Sequence, residues 1–190
     1  HDDRVVFVTE PVDIWQSIKD NENKSILERF YEDGKKYSFP FRVGLYPGIS
    51  CMYECTFCGR NYNAKYKRNA LDVGIETYKK LIDEAPNDDK NRFYISGGLE
   101  PLTNPKLGEI ISHLKKKNFN SSMYTNGYML TKKFLNKNPE IFDLDSLRIS
   151  FYGIDSEQYF KVTKKIKSFE IVTKNIEDYL NLKFNYNSKT

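Results

Sequence analysis

All three cysteines of the chain fall within eight residues, Cys51-Met-Tyr-Glu-Cys55-Thr-Phe-Cys58. Thiols clustered on one short loop point to metal binding or to redox chemistry. An odd number of cysteines does not build a disulfide framework, and a small secreted scaffold carries more of them. Three chemistries compete for this loop. Structural zinc takes four protein ligands, and the sequence offers only two histidines, His1 and His113, to complete a set. His1 stands at the first position, and His113 lies off the apolar stripe of its helix. A Cys-x-x-Cys redox pair of Cys55 and Cys58 leaves Cys51 idle. An iron–sulfur cluster is held by thiolates throughout, and three of them on a cubane leave one iron open to another ligand.

The elements that must position this loop follow from apolar periodicity. Residues 41–46 predict a strand stopped by Pro47-Gly48, and the cysteines come next. Ile75, Tyr78, Leu81, Ile82 and Ala85 recur at helical spacing up to Pro86. Residues 92–96 predict a buried strand ending at Gly97-Gly98. Asn104 reads as a helix N-cap with Pro105 in the first turn, and Leu107, Ile110, Ile111 and Leu114 line that helix's inner face. Residues 119–125 predict a strand ending at Asn126-Gly127, residues 131–136 a short helix, and residues 146–152 a strand ending at Gly153. Phe169, Val172, Ile176, Tyr179 and Leu180 share one face of a last helix. Strand then helix, four times over, predicts an α/β fold of right-handed βαβ units, with a parallel sheet and helices packed outside it. Sites in such folds sit at the carboxyl ends of the strands. The cysteine loop, Gly97-Gly98, Asn126-Gly127 and Tyr152-Gly153 are therefore expected to converge. Residues 1–40 read as an N-terminal arm and residues 41–190 as the core.

Composition narrows the function classes. The chain has 190 residues, 39% hydrophobic and 15% aromatic. That length suits one domain, and aromatic content at this level argues against disorder. No stretch approaches the ~20 apolar residues of a bilayer span, and no charged-then-apolar leader opens the sequence. A cytoplasmic protein with no membrane partner is the expectation. Thirty basic residues are interspersed with 26 acidic ones, for a formal net charge of +4. A nucleic-acid footprint drives net charge much higher. The densest basic run, Lys115 to Lys117, reads instead as a solvated helix end that complements the dipole.

With the motifs placed on strands, a family resemblance appears. Cys-x-x-x-Cys-x-x-Cys after a first strand, with Phe57 just before the last cysteine, resembles the radical S-adenosylmethionine (radical SAM) superfamily. Three more segments resemble that family in the right order, each after its expected strand. Ser96-Gly97-Gly98-Leu99-Glu100-Pro101 is similar to its Gly-Gly-Glu motif, with Leu99 inserted before the glutamate. Thr125-Asn126-Gly127 is similar to its Thr-Asn-Gly stretch, and Ser150 matches a serine of its fourth strand.

The resemblance spans about residues 41–180. It implies a partial (β/α)6 TIM-like barrel of parallel strands with outer helices, of which about four βα units are present and the rest is cut short. It implies that Cys51, Cys55 and Cys58 hold a [4Fe–4S] cluster whose open iron chelates SAM. Reductive cleavage of SAM would then give a 5′-deoxyadenosyl radical that abstracts hydrogen from the substrate, with the protein binding, orienting and shielding. By the same resemblance, Phe57 shields the cluster, and Gly97, Gly98 and Glu100 meet the SAM amino group. Asn126 contacts the cofactor, Ser150 contacts the SAM ribose or carboxylate, and Lys164 takes the place of a basic residue that pairs with that carboxylate. The implied electron donor is a flavodoxin or ferredoxin.

The lead-in of residues 41–48, Cys58-Gly59-Arg60 and the Gly-Gly-Leu-Glu-Pro-Leu form resemble family members that act on nucleotide-linked deoxysugars, such as 4-amino-sugar ammonia-lyases. Residues 146–176 are also similar to the peptide-modifying, SPASM/twitch-like branch. The expected reaction is hydrogen abstraction from a small polar substrate, a nucleotide sugar, of lyase or oxidoreductase type. The alternatives are a peptide-modifying maturase and, from another class, a non-enzymatic zinc-binding interaction module.

Overall fold

The computed structural model describes residues 39–59 and 68–187. The N-terminal arm expected over residues 1–40 lies almost wholly outside the described residues. Four strands, β1 (Val43–Leu45), β2 (Phe93–Ile95), β3 (Ser122–Thr125) and β4 (Ser146–Ile149), form one sheet in the order β1-β2-β3-β4. Every neighbouring pair is parallel. Between and after them run helices α1 (Arg68–Glu84), α2 (Leu107–Lys116), α3 (Lys132–Lys137), α4 (Ser156–Thr163) and α5 (Ser168–Asn187). The alternation expected from the sequence is the alternation that forms, and it gives the four βα units of the α/β reading.

The strands are shorter than their apolar runs. Residues 41–46 pair only over Val43–Leu45, and residues 119–125 only over Ser122–Thr125. Phe119 is instead buried against Phe93, edge to face at 4.9 Å between ring centroids, so the early part of that run contributes packing rather than ladder. Register places Leu45 beside Ile95, Ile95 beside Met123, and Met123 beside Leu147. Leu45, Ile95 and Met123 are fully buried, as are Leu107, Ile110, Ile111 and Leu114 on the inner face of α2. Burial of side chains of this size is worth about 1.5–3 kcal/mol each, which makes this layer the main support of the strand ends.

One local expectation is corrected, and one helix had no apolar signal in the sequence. Asn104 does not cap α2, whose N-cap position is Lys106 with no side-chain cap bond. Asn104 closes a single turn of 3-10 helix (Pro101–Thr103) and accepts from the Lys106 N–H at 2.8 Å, while its Nδ2 donates to the Pro47 carbonyl at 2.9 Å. A short polar side chain hydrogen-bonds its own chain two residues on as readily as it caps, and the tie to Pro47 holds it there. Helix α4 carries no apolar stripe to betray it. It is marked by its cap, since Asp155 accepts from the Gln158 N–H at 2.8 Å.

Candidate functional site

The cysteine loop leaves β1 at Pro47-Gly48 and is pinned on two sides. On one side, the Glu100 N–H donates to the Ser50 carbonyl at 2.9 Å, and Thr103 Oγ1 accepts from the Ile49 and Ser50 N–H groups at 3.1 and 3.3 Å. Gly48 makes that approach feasible, because a Cβ there would sit 2.7 Å from the Leu99 carbonyl group. On the other side, the Glu54 and Thr56 N–H groups donate to the carbonyls of Thr163 and Val162, at the end of α4, at 3.0 and 3.1 Å. Tyr53 is buried at the centre of the loop, with edge-on ring contacts to Tyr128 and Tyr152. Cys55 is buried, and Cys51 and Cys58 are half-buried. The Cys58 N–H donates to the Cys55 carbonyl at 3.0 Å, which turns the chain between these two thiols.

Four strand ends meet at one cavity of about 130 Å³. The loop after β1 contributes Cys51, Tyr53 and Cys55, and the end of β2 contributes Ser96, Gly97, Leu99, Glu100 and Pro101. From β3 come Tyr124, Thr125 and Asn126, and from beyond β4 come Ser150 and Tyr152. Of the residues singled out in the sequence, Cys51, Cys55, Gly97, Glu100, Asn126 and Ser150 line this space. Cys58, Phe57, Gly98 and Lys164 are not among the lining residues. Phe57 is 68% exposed, with its ring 5.8 Å from that of Tyr152. Lys164 is exposed and closes α4 in the left-handed region (φ 58°), its N–H bonded to the Phe160 carbonyl. Gly97 has φ 141°, a conformation that side chains strain against.

Glu100 organises the cavity floor. It is buried, and its carboxylate accepts from Thr125 Oγ1, from the Asn126 N–H at 2.8 Å and from the Leu102 N–H at 3.2 Å. Burial raises its pKa, against the lowering effect of these three donors. The carboxylate thus ties the loop after β2 to the end of β3. Asn126 is aimed by the same tie. Its Oδ1 accepts from the Tyr128 N–H at 2.9 Å, which leaves Nδ2 to donate to Cys51 Sγ at 3.7 Å and Met52 Sδ at 3.2 Å. Tyr152 is pushed up to about 12 by burial, so its phenol is protonated at neutral pH. Ser96, Thr125 and Tyr152 stand in the sequence only as members of a motif or strand end, without a role of their own, and Tyr124 is not named there. Their signal is position alone, since each lies within three residues of a strand's carboxyl end.

Comparison with known proteins decides the family. The radical SAM superfamily model matches residues 45–190. This chain belongs to the radical SAM superfamily. It is 40% identical over 149 residues to dTDP-4-amino-4,6-dideoxy-D-glucose ammonia-lyase of Streptomyces venezuelae, across 78% of this chain and 31% of that protein. It is 32% identical over 141 residues to a Methanococcus maripaludis protein named "Probable GTP 3′,8-cyclase", across 72% of this chain and 44% of that one. The chain thus spans less than half the length of either relative. Among solved structures, Streptococcus suis SuiB bound to its precursor peptide SuiA superposes with a TM-score of 0.54 at 16% identity, over 90% of this chain and 36% of SuiB. That likeness is one of fold.

The cofactors of a radical SAM protein are a [4Fe–4S] cluster and SAM, and the residues present fit them. Three thiols, none of them in a disulfide, lie on one pinned loop, and Cys51 and Cys55 line the cavity. A side-chain amide donates to one of them, the type of outer contact that tunes thiolate-ligated iron. Among the described residues, no group of three His, Cys, Asp or Glu is placed to hold a metal ion. A cubane asks for something different, because each thiolate binds its own iron and the sulfurs frame the corners of a larger body. No helix among the described residues is long and apolar enough to cross a membrane.

Proposed function

We propose that residues 41–190 form the cofactor-binding part of a radical SAM enzyme acting on a small polar substrate, a nucleotide-linked sugar, in a reaction of the lyase type. The observation that carries this reading is the convergence of four parallel strand ends on one cavity beside the three-thiol loop. The 40% identity to an ammonia-lyase of a dTDP-amino sugar supports the substrate class. The bound cofactors supply reductive cleavage of SAM and hydrogen abstraction from the substrate.

The chain's own residues bind, orient and exclude water. Cys51, Cys55 and Cys58 hold the cluster. The exposed backbone at Gly97-Gly98, with Gly97 at φ 141° in a conformation only glycine adopts freely, meets the SAM amino group. Ser150, at the end of β4, bonds the SAM ribose or carboxylate. Lys164 reaches the carboxylate from the end of α4, and Phe57 covers the loop against solvent. Glu100, which lines the cavity, meets the SAM amino group with the carboxylate that also holds Thr125 and Asn126 in place. Electrons come from a flavodoxin or ferredoxin.

The test is anaerobic incubation of the reconstituted full-length protein with SAM, reductant and a panel of deuterated sugar nucleotides and peptides. The expected result is 5′-deoxyadenosine whose formation is stimulated by a sugar nucleotide and which carries substrate deuterium. Absence of 5′-deoxyadenosine under all these conditions contradicts the reading.

A further inference from the structure

The face of the sheet opposite the buried Leu45–Ile95–Met123 layer carries a row of side chains to which no role has been given. Parallel register puts Gly44 beside Tyr94 and Tyr124 beside Arg148. Tyr46, just past β1, brings its hydroxyl to 3.4 Å from that of Tyr94. The Tyr94 and Tyr124 rings meet edge to face at 6.4 Å. Arg148 donates to the Tyr124 hydroxyl and lies with its guanidinium 5.0 Å from the centre of that ring. Gly44 leaves room for the row, since a Cβ there would stand 2.8 Å from the Tyr94 hydroxyl.

Three features of the row point to a ligand. Arg148 is the only ionised side chain that the four strands place on this face, it is exposed, and no carboxylate pairs with it among the described residues. A fully exposed lysine needs no partner, but a guanidinium stacked on an aromatic ring is held as a planar fork, the shape that reads phosphate oxygens two at a time. The tyrosines add hydroxyl donors and ring faces on which a base or sugar stacks. The Tyr94 phenol is pushed up to about 12 by its bond with Tyr46 and by burial, so it opposes no anion at neutral pH. Finally, the row is continuous with the cofactor cavity, because Tyr124 lines that cavity as well.

We propose that Arg148, with Tyr124, Tyr94 and Tyr46, is the anchor for the diphosphate and nucleoside part of the substrate, a nucleoside diphosphate derivative. Arg148 takes phosphate oxygens through its fork, and the tyrosines bond and stack the nucleoside end. The reacting sugar is thereby directed to the carboxyl ends of the strands. This rests on the nucleotide-sugar reading above and adds which residues recognise the nucleotide.

The experiment is calorimetric titration of the full-length reconstituted protein with thymidine diphosphate, inorganic pyrophosphate and thymidine, alongside 5′-deoxyadenosine formation by the wild type. Thymidine diphosphate is expected to bind, pyrophosphate more weakly. Arg148→Gln should weaken thymidine diphosphate about 10- to 100-fold, the loss of a charged hydrogen-bonded contact, and Arg148→Lys less. Tyr124→Phe, which keeps the ring but not the hydroxyl that orients Arg148, should weaken it severalfold, and it carries the test if Arg148→Gln fails the check of fold by circular dichroism. Unchanged affinity in the folded variants overturns the proposal, as does a wild type that cleaves SAM but binds no thymidine diphosphate. A wild type that binds thymidine diphosphate through Arg148 yet forms no 5′-deoxyadenosine sustains this proposal and tells against the radical chemistry instead.

Discussion

The side-chain amide of Asn126 donates a hydrogen bond to the sulfur of Cys51 at 3.7 Å. Its orientation is fixed at both ends. Glu100 accepts from its backbone N–H, and its own Oδ1 accepts from the Tyr128 N–H. A donor on a ligand sulfur favours the more negative, reduced cluster. Asn126→Leu should therefore lower the midpoint potential of the reconstituted cluster. A hydrogen bond worth about 1 kcal/mol corresponds to a shift on the order of 40 mV for one electron. An EPR-monitored redox titration reads it, and an unchanged potential would show that the amide does not act on the cluster.

Glu100 joins two loops through three donors, and two of those are backbone N–H groups. Glu100→Ala leaves them unpaired in a buried site and should cost about 1–3 kcal/mol in urea unfolding. The pH dependence has a definite sign. Burial raises the folded-state pKa of Glu100 above its unfolded value, so its titration adds stability that is full below the unfolded pKa, about 4.3, and is lost as pH rises through the folded pKa. Measured against Glu100→Gln, which does not titrate, the wild type should lose ground across that interval. Parallel stability curves would refute the raised pKa.

Gly48 is a steric prediction. A Cβ at this position meets backbone atoms of Leu99 at 2.7 Å and of Glu100 at 2.8 Å, and backbone cannot swing aside as a side chain tip does. Gly48→Ala should destabilise the protein by about 1–3 kcal/mol and lower iron loading, because the Glu100 to Ser50 bond that pins the cysteine loop is at the same contact. Thermal unfolding with iron analysis checks both, and a variant that melts and loads like wild type would mean the loop has slack.

The contrast between these residues explains what was legible in the sequence. The strand ends could be read because apolar runs stop at Gly and Asn-Gly, and a parallel α/β fold sends those ends to one side. That is enough to bring Cys51, Gly97, Asn126 and Ser150 around one cavity. The bracing role of Glu100 was hidden, because it depends on Thr125 and Asn126 arriving from a separate strand 25 and 26 residues away. Asn104 reads as a cap because capping and Asx bonding use the same side chain, and only the tertiary contact with Pro47 decides between them. The Tyr94–Tyr124–Arg148 row is not legible in the sequence because each residue sits alone in its strand. Period-two alternation marks these positions as opposite the apolar ones, but register between strands is what lines them up.

The central claim is that Cys51, Cys55 and Cys58 hold one [4Fe–4S] cluster, and analysis of iron, acid-labile sulfide and zinc after anaerobic reconstitution tests it most directly. About four irons and four sulfides per chain are expected, lost in Cys51→Ser, Cys55→Ser and Cys58→Ser alike. One zinc per chain with no sulfide, or a full cluster retained in any of the three variants, would contradict it.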